Sequence, residues 1–342
     1  MQKKALLKQS SALKYANSGL IPDQFFLIQP NLGNYPLKLG YVEKRYMMQR
    51  DLEKADWAVG LMQNRQSVRR FKDDPIPEEI LYEVLAAGIN SATGGNLQPY
   101  SIIVERSRIQ SHQLSKLCGD QPFIAQAPVN LIFCLDWHKL AVYSRANDAP
   151  FTCNKSFRHY TIAMDDLVCA AQTIETAAWL YGIGSCYVGT IIDNIPAAAR
   201  MYKLPKLVAP MLLLSLGYPK SLSTPRKKLD YDMVVFNNSY PNLSEQKICE
   251  AYDSKYTGMR MTLPSDPQKR QEILAEFRRA LLTTYPEEQC DQIIAKADKA
   301  GYIHEIQRRF GLHYHAADML TPEVLEGLAS QGIYPCYGLM EK

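Results

Sequence analysis

The spacing of apolar positions predicts two helices in the first quarter of the chain. In residues 51–63 apolar side chains recur at helical spacing, at Leu52, Ala55, Ala58, Val59 and Met62. A second helix is predicted to begin at Pro77, because proline fits the first helical turn and the following Glu78 and Glu79 complement the positive end of the helix. Its buried face carries Ile80, Leu81, Val84 and Leu85.

Short runs rich in β-branched residues predict strands over residues 100–105, 129–135 and 210–216, and a further strand over 231–236. Residues 161–181 are apolar on nearly every side, which predicts a buried helix, and Gly182 is expected to end it. The segment 137–160 between these elements is predicted to be irregular, and its aromatic residues suggest either the wall of a substrate site or a cover over the core.

The chain changes character at both ends. Residues 1–50 precede the regular pattern and are broken by Pro22, Pro30 and Pro36. After about residue 255 the sequence becomes more polar and predicts helices over 266–285, 287–300 and 322–330. We therefore expect an N-terminal extension (1–50), a core domain (51–254) and a helical C-terminal extension (255–342). The sequence leaves open whether this last part is a packed appendage or a lid.

Composition narrows the possible classes of protein. The 342 residues are 46% hydrophobic and 22% charged, as in ordinary globular proteins. A net charge of +4 with scattered basic residues argues against nucleic acid as a partner. A membrane span needs about 20 consecutive apolar residues, and none is present. The eight cysteines show no Cys-x-x-Cys spacing, and the first residues lack the pattern of a signal peptide. Buried, reduced thiols in a cytoplasmic protein are the expectation.

Two segments carry groups suited to a phosphate and to a flat heterocycle. In Arg65-Gln66-Ser67-Val68-Arg69, two guanidinium groups can project to one side and bind a phosphate through charge-assisted hydrogen bonds. In Thr93-Gly94-Gly95-Asn96-Leu97-Gln98, small residues let the backbone approach a ligand, and two amide side chains suit its polar edge. A helix cap, a turn and surface arginines would explain either segment alone. The pair, in this order, favours a binding site.

Together these segments resemble the nitroreductase family of flavin-dependent oxidoreductases. Two further segments follow in the order of that family. The helix beginning near Met164 leads to Gly182-Ile183-Gly184-Ser185-Cys186-Tyr187-Val188-Gly189, which resembles the central helix and the turn that contacts the flavin ring. Leu214-Ser215-Leu216-Gly217-Tyr218-Pro219 then precedes Arg226-Lys227-Lys228, similar to the last core strand and a basic segment. The resemblance covers roughly residues 50–240.

The resemblance implies an α+β fold: a nitroreductase-like α/β sandwich in which a central, mostly antiparallel sheet is flanked by helices. It also implies an intertwined homodimer with FMN at the interface. In that architecture the final strand, near residues 231–236, crosses to the sheet of the other subunit. A dinucleotide-binding fold is not favoured, because no Gly-x-Gly-x-x-Gly follows a first strand.

The resemblance further implies which residues contact FMN. The phosphate and ribityl side of FMN would be bound by Arg65, Gln66, Ser67 and Arg69, and the cationic pocket would be completed by Arg226 and Lys228. A turn from the partner subunit would reach the flavin with Ala92, Thr93, Gly94 and Asn96, and Gln98 would extend toward the ring edge. The backbone N–H groups of Val188 and Gly189 would lie near flavin N5. A solvated loop would also explain residues 226–228.

The activity implied is ping-pong hydride transfer from NADH or NADPH through FMN to a nitroaromatic, quinone or enone-like small molecule. Because the cofactor supplies the redox chemistry, no catalytic side chain is required, and Cys186 is expected to pack rather than to react. Two alternatives remain open. One is a specialised flavoprotein that carries out dehydrogenation, dehalogenation or flavin breakdown, and the other is a flavin-binding protein without efficient NAD(P)H turnover.

Overall fold

The computed structural model describes residues 27–28, 46–47 and 51–337. The chain forms two units, Met1–Gly60 and Leu61–Lys342. In the first, strands β1 (Leu27–Ile28) and β2 (Tyr46–Met47) pair antiparallel. Apart from these four residues, the predicted N-terminal extension lies outside the described part of the chain.

A four-stranded antiparallel sheet forms the centre of the second unit. It contains β3 (Tyr100–Glu105), β4 (Val129–Asp136), β5 (Gly184–Val188) and β6 (Val208–Gly217), in the order β3-β4-β6-β5. The three predicted strands 100–105, 129–135 and 210–216 are confirmed, and so is the mostly antiparallel sheet. The register of β4 against β6 shifts between Phe133 and Cys134, and Cys134 faces Pro210. Proline has no N–H to donate to the neighbouring strand, which explains the irregularity at this point.

Helices make up most of the remaining described chain. In order they are α1 (Leu52–Gln63), α2 (Glu78–Ile89), α3 (Arg108–Leu117), α4 (Pro122–Gln126), α5 (His138–Ala146), α6 (Phe157–Leu180), α7 (Ile195–Met201), α8 (Glu245–Lys255), α9 (Pro267–Leu281), α10 (Glu287–Ala300), α11 (Glu305–Arg308), α12 (His315–Asp318) and α13 (Thr321–Ser330). The helices predicted over 51–63, from Pro77, and over 287–300 are confirmed.

Strand β4 is apolar on both sides because both faces of the sheet are covered. Leu131 and Phe133 join a hydrophobic cluster with Leu167 and Ile174 of α6, whereas Ile132 and Cys134 join another with residues of α3 and α4. This alternation follows the two-residue period of a strand. The core therefore lies on both sides of the sheet, which explains the continuous apolar runs in the sequence.

The long helix α6 positions both halves of the candidate site. The side chain of Ser156 accepts a hydrogen bond from His159 N at its start, and Gly182 (φ 73°) follows its end in the left-handed conformation. A Cβ atom on Gly88 would clash with the side chain of Ile174, so α2 approaches α6 closely. The prediction that α6 is buried on nearly every side is wrong for one face, where Val168 is 47% exposed.

Two further predictions are corrected. Residues 137–160 are not irregular throughout, because α5 lies within them. Residues 231–236 do not form a strand: they contain a 3₁₀ turn, Tyr231–Met233. Val234 and Val235 are 61% and 44% exposed and find no neighbouring strand within the described chain, so their β-forming tendency is not satisfied there.

The C-terminal region has a hydrophobic cluster of its own. Leu263, Leu274, Phe277, Ala297 and Ile303 are buried together, and β7 (Arg260–Thr262) pairs antiparallel with β8 (Tyr302–His304). Helix α11 continues into a π-helical turn, Arg309–Tyr314. The chain then returns to the sheet, where Leu328 and Ile333 join the cluster of Leu167. The predicted domain boundary near residue 255 stays a prediction.

All eight cysteines are free thiols. Cys118, Cys134, Cys186 and Cys290 are buried, as expected, whereas Cys169 and Cys249 are exposed. Within the described ranges, no group of three or more His, Cys, Asp or Glu side chains is arranged to hold a metal ion. Nor does any helix of those ranges combine the length and apolar character needed to cross a membrane.

Candidate cofactor site

The segment around Ser67 pairs with the start of β5. Ser67 forms a parallel bridge with Ser185, and Val68 N donates to Ser185 O at 2.7 Å. Val68 is buried, whereas Ser67 and Arg69 are exposed. Ser67 and Arg69 flank the buried Val68 and so share a face of this segment, and the side chain of Arg65 reaches Glu175, which also binds Ser185 beside Ser67. The structure thus brings three of the predicted phosphate contacts into one row.

Arg65 is fixed by a buried carboxylate. Its Nη1 donates to Glu175 Oε1 at 2.9 Å, and the Glu175 side chain is fully buried. Ser185 Oγ donates to the same oxygen at 2.9 Å, and Gln172 Nε2 donates to Oε2 at 2.9 Å. With 28% of its side chain exposed, Arg65 presents a positioned cation at the surface of the site.

Arg69 lies over the ring of Phe123, with its Cζ 5.8 Å from the ring centroid. Both arginines act on the neighbouring thiol: burial raises the pKa of Cys186, while Arg69 and Arg65 oppose that rise. The net effect keeps the thiol protonated near neutral pH, where it is a poor nucleophile. This supports the expectation that Cys186 packs rather than reacts.

Gln66 connects this segment to the loop after β6. Its Oε1 accepts from Ser223 Oγ at 2.8 Å, and Lys220 N donates to Arg70 O at 2.8 Å. The side chain of Gln66 therefore contacts the protein, whereas Arg65, Ser67 and Arg69 stay predicted contacts of the phosphate.

The small-residue turn has an unusual backbone. Gly95 (φ 60°), Asn96 (φ 56°) and Gln98 (φ 48°) all have left-handed conformations. Such conformations are strained for residues other than glycine and are concentrated at functional sites. Gly94 N donates to the buried Asp166 Oδ1 at 2.8 Å, which anchors the turn to α6.

The side chain of Gln98 turns back on its own segment: Nε2 donates to Ile89 O at 2.9 Å, and Gln98 N donates to Thr93 Oγ1 at 3.3 Å. Ala92, Gly94 and Asn96 are exposed. The turn thus presents mainly its backbone and the Asn96 amide to a ligand.

At the end of β5, Val188 is buried and Gly189 is exposed. A Cβ atom at Gly189 would meet no atom within 4 Å, so the backbone there is open to a ligand. These residues lie at the end of the strand that begins beside Ser67, where Ser185 forms its bridge.

One chain does not unite the two halves of the predicted site. Glu175, which holds Arg65, and Asp166, which holds Gly94, are nine residues apart on α6. Because an α-helix turns by about 100° per residue, the two carboxylates lie on opposite sides of α6. The rise of about 1.5 Å per residue separates them by about 13 Å along the helix axis. Arg226 and Lys228 are exposed and line a cavity formed with α8.

Neither of the two carboxylates that hold these segments, Asp166 and Glu175, was predicted from the sequence. Asp166 and Glu175 are buried inside a helix that is otherwise apolar on its packed faces. An acidic residue on the apolar face of a predicted helix was the signal in the sequence, because burying a carboxylate costs free energy unless it is paired or hydrogen-bonded.

The aromatic segment divides between the two expected roles. Trp137 is buried and meets Phe151 edge to face, with ring centroids 6.1 Å apart, so it covers the core. Tyr143 and Phe157 are 71% and 65% exposed. A substrate wall therefore stays a prediction for these two side chains.

The chain is similar to known oxidoreductases. Residues 62–218 match the model of the nitroreductase family. An oxygen-insensitive NADPH nitroreductase of Salmonella typhimurium is 28% identical over 211 residues, covering 62% of this chain and 85% of the relative. An FMN reductase (NAD(P)H) of Bacillus subtilis is 26% identical over 194 residues, covering 56% and 78%. The crystal structure of nitroreductase A from Vibrio parahaemolyticus aligns with a TM-score of 0.54 at 27% identity, covering 58% of this chain and 82% of that one.

Proposed function

Because residues 62–218 of this chain belong to the nitroreductase family, we propose that the protein is an FMN-dependent oxidoreductase. Its electron donor is NADH or NADPH, and its acceptors are small nitroaromatic, quinone or enone-like molecules. The observation that carries the proposal is the row of Arg65, Ser67 and Arg69 beside Ser185, with Arg65 held by the buried Glu175. The names of the relatives, an NADPH nitroreductase and an FMN reductase, support the same activity.

The donor set fits the phosphate of FMN. A phosphate monoester carries about −1.5 to −2 charges at neutral pH. Two guanidinium groups and one hydroxyl group of residues 65–69 offer it charge-assisted and neutral hydrogen bonds. Arg226, three residues after the Ser223 that contacts Gln66, is a further candidate for this phosphate.

The open backbone at Gly189 fits the flavin ring. Gly189 has no side chain that would keep the ring from contacting the backbone. The N–H groups of Val188 and Gly189 are the proposed donors to N5. The turn of Ala92, Thr93, Gly94, Asn96 and Gln98 would reach the same ring from a second copy of the chain.

Bound in this site, FMN would supply the redox chemistry that links reduced nicotinamide to the second substrate. The protein supplies binding and orientation. Glu175 fixes Arg65, Asp166 fixes the small-residue turn, and the protonated Cys186 stays unreactive near Arg65 and Arg69. With these roles, the protein does not need to supply an acid–base pair for the reaction.

A homodimer would join the two halves of the site. Leu97, within the small-residue turn, and Ile89, whose carbonyl accepts from Gln98, are 53% and 50% exposed. Apolar side chains gathered at one surface favour contact with a partner, and a second copy would bring its own Arg65 row to this turn. We also propose a cytoplasmic location, which the eight free thiols support.

The absorbance spectrum of the purified protein tests the proposal. We expect flavin bands that bleach when NADPH or NADH is added without oxygen and return when a quinone is added. Bands that persist with both nucleotides would favour a flavin-binding protein without efficient turnover. Absence of flavin bands after incubation with FMN would contradict the proposal.

A further inference from the structure

A cavity lies within the C-terminal region, bordered by the end of helix α9, by helices α10, α11 and α12 and by the π-helical turn Arg309–Tyr314. Its volume is about 520 Å³, within the range of about 300–1,000 Å³ that is usual for ligand pockets. All of its lining residues lie between Phe277 and Asp318. The cavity therefore shares no residue with the Arg65 row, with the loop of residues 226–228 or with the part of the chain that matches the family model.

The buried part of the lining is apolar. Phe277 is 1% exposed and belongs to the hydrophobic cluster of the C-terminal region, and Leu281 and Ile293 pack against that cluster. The ring of Phe277 can lie directly against the π-helical turn because Gly311 has no side chain, and a Cβ atom at Gly311 would clash with that ring. Since burial of apolar surface stabilises binding, these side chains favour a ligand with an apolar body.

Two aromatic rings lie at the solvent-exposed edge of the cavity. Phe310 and Tyr285 are 64% and 40% exposed, although both line it. Phe310 belongs to the π-helical turn, and single turns of π-helix are rare and often occur at functional sites. The face of an aromatic ring is electron-rich and attracts cations. His315 also lines the cavity, and its ring in the neutral form can accept a hydrogen bond from an amine.

The lining of the cavity carries a carboxylate, Asp318, and includes no lysine or arginine of the described chain. Asp318 is exposed, and Thr321 Oγ1 donates to its backbone carbonyl. The carboxylate itself makes no hydrogen bond or ion pair with any described residue. The neighbouring Arg308 and Arg309 both donate to Glu305 instead. The cavity therefore combines electron-rich ring faces with a negative charge that no described side chain neutralises.

From this geometry we propose that the cavity binds a small organic cation, an amine or ammonium compound with an apolar body. The apolar body packs against Phe277 and Ile293. The positively charged group meets the carboxylate of Asp318 and the ring faces of Phe310 and Tyr285. An anionic ligand is disfavoured, because it would face Asp318 with no cationic side chain among the described lining residues. The inference concerns a site other than the flavin site and does not depend on the proposed function.

Calorimetric titration of the purified full chain, incubated with FMN, tests the inference. The probes are phenethylamine, which is a cation at neutral pH, phenethyl alcohol, which has the same apolar body without the charge, and methylamine, which has the charge without that body. We expect phenethylamine to bind at least about tenfold more tightly than either of the others, since both parts of the lining contribute. Equal binding of phenethylamine and phenethyl alcohol would overturn the proposal, and so would a lack of binding by phenethylamine.

Two variants separate the contributions of charge and ring. Asp318→Asn keeps the shape of the side chain without its charge, so it should weaken binding of phenethylamine about tenfold and leave binding of phenethyl alcohol unchanged. Phe310→Ser, at an exposed position, should weaken binding of phenethylamine because one ring face is lost. Glu323→Gln is the matched control, because it removes an exposed carboxylate outside the cavity, and it should change neither. Equal binding of phenethylamine by Asp318→Asn and Glu323→Gln would contradict the assignment.

The inference and the proposed function can fail separately. Titration with phenethylamine before and after addition of FMN should give the same affinity, because no lining residue of this cavity belongs to the candidate cofactor site. Loss of phenethylamine binding on addition of FMN would place the amine in the flavin site and overturn the assignment to this cavity. Charge-selective amine binding by a protein that takes up no FMN would support the inference while the proposed function failed. Flavin bleaching by NADPH without amine binding would do the reverse.

Discussion

The carboxylate of Glu175, fully buried in helix α6, accepts a hydrogen bond from Arg65 at the surface of the candidate site, with 2.9 Å between Oε1 and Nη1. The same oxygen accepts from Ser185 Oγ, so one side chain of the long helix fixes both the cationic segment and the strand beside it. A rigid guanidinium group loses less conformational entropy when it binds a phosphate. The core of the protein thereby positions Arg65 for the phosphate that we propose it binds.

We expect Glu175→Gln to weaken FMN binding and to lower the free energy of unfolding of the protein without FMN. The substitution removes the charge that holds Arg65, and disturbing hydrogen bonds to a buried charged group costs about 1.5–3 kcal/mol. Urea unfolding and fluorescence titration with FMN measure the two effects. Gln172→Ala, which removes a neutral donor from the same carboxylate, should cost about 1 kcal/mol. Equal effects of both variants would contradict a charge-based role.

Arg69→Ala should release flavin. Loss of a charge-assisted bond to the phosphate costs about 1.5–3 kcal/mol, which corresponds to about 10- to 150-fold in the dissociation constant. Arg70→Ala is the matched control, because the exposed Arg70 is the adjacent residue and its described contact uses the backbone carbonyl. The assignment fails if Arg69→Ala retains FMN as firmly as Arg70→Ala does.

Much of the sheet could be predicted because its signals are local. The apolar runs of β3, β4 and β6 depend on burial on both faces, and Pro77 and Gly182 mark helix ends through their own backbone preferences. The Arg65 and Gly94 segments could be proposed as binding segments for the same reason, because the cationic and small residues that suggest binding are close together in the sequence.

The predictions that failed depended on distant residues. The β-branched run at Val234 and Val235 forms no strand, because a strand also needs a neighbouring edge, and none is available to these residues within the described chain. Glu175 and Asp166 could not be assigned partners from sequence, since their contacts lie 110 and 72 residues away. Long-range pairing of this kind is fixed by the fold as a whole.

Asp166→Ala should loosen the small-residue turn. Gly94 N would lose its buried acceptor at 2.8 Å, and an unsatisfied donor costs about 1–3 kcal/mol. The strained backbone of Asn96 and Gln98 would then relax, so FMN affinity should fall as well. Asp165→Ala, at the exposed neighbouring position, provides the control in thermal unfolding and FMN titration. Indistinguishable behaviour of the two variants would show that the turn does not depend on Asp166.

Acid should weaken the C-terminal region through Glu305. Its buried carboxylate accepts from Arg308 Nε at 2.8 Å and from Arg309 Nε at 2.9 Å. The guanidinium of Arg308, supported by Arg309, lowers the pKa of Glu305 to about 2 despite the opposing effect of burial. Because the pKa in the folded protein is depressed, this stabilisation is fully present above the ordinary value of 4.5 and is lost as the pH falls toward 2.

Urea unfolding from pH 5.5 down to pH 2 tests this prediction. The parent protein should lose about 1–3 kcal/mol more stability over that interval than Glu305→Gln, whose side chain does not titrate. At pH 5.5 the variant should be the less stable of the two, and near pH 2 the difference should narrow, because protonation removes the charge from the parent as well. Glu326→Gln, at an exposed position on α13, controls for the loss of one surface carboxylate. If Glu305→Gln and the parent lose stability in parallel, the ion pairs with Arg308 and Arg309 do not stabilise the fold.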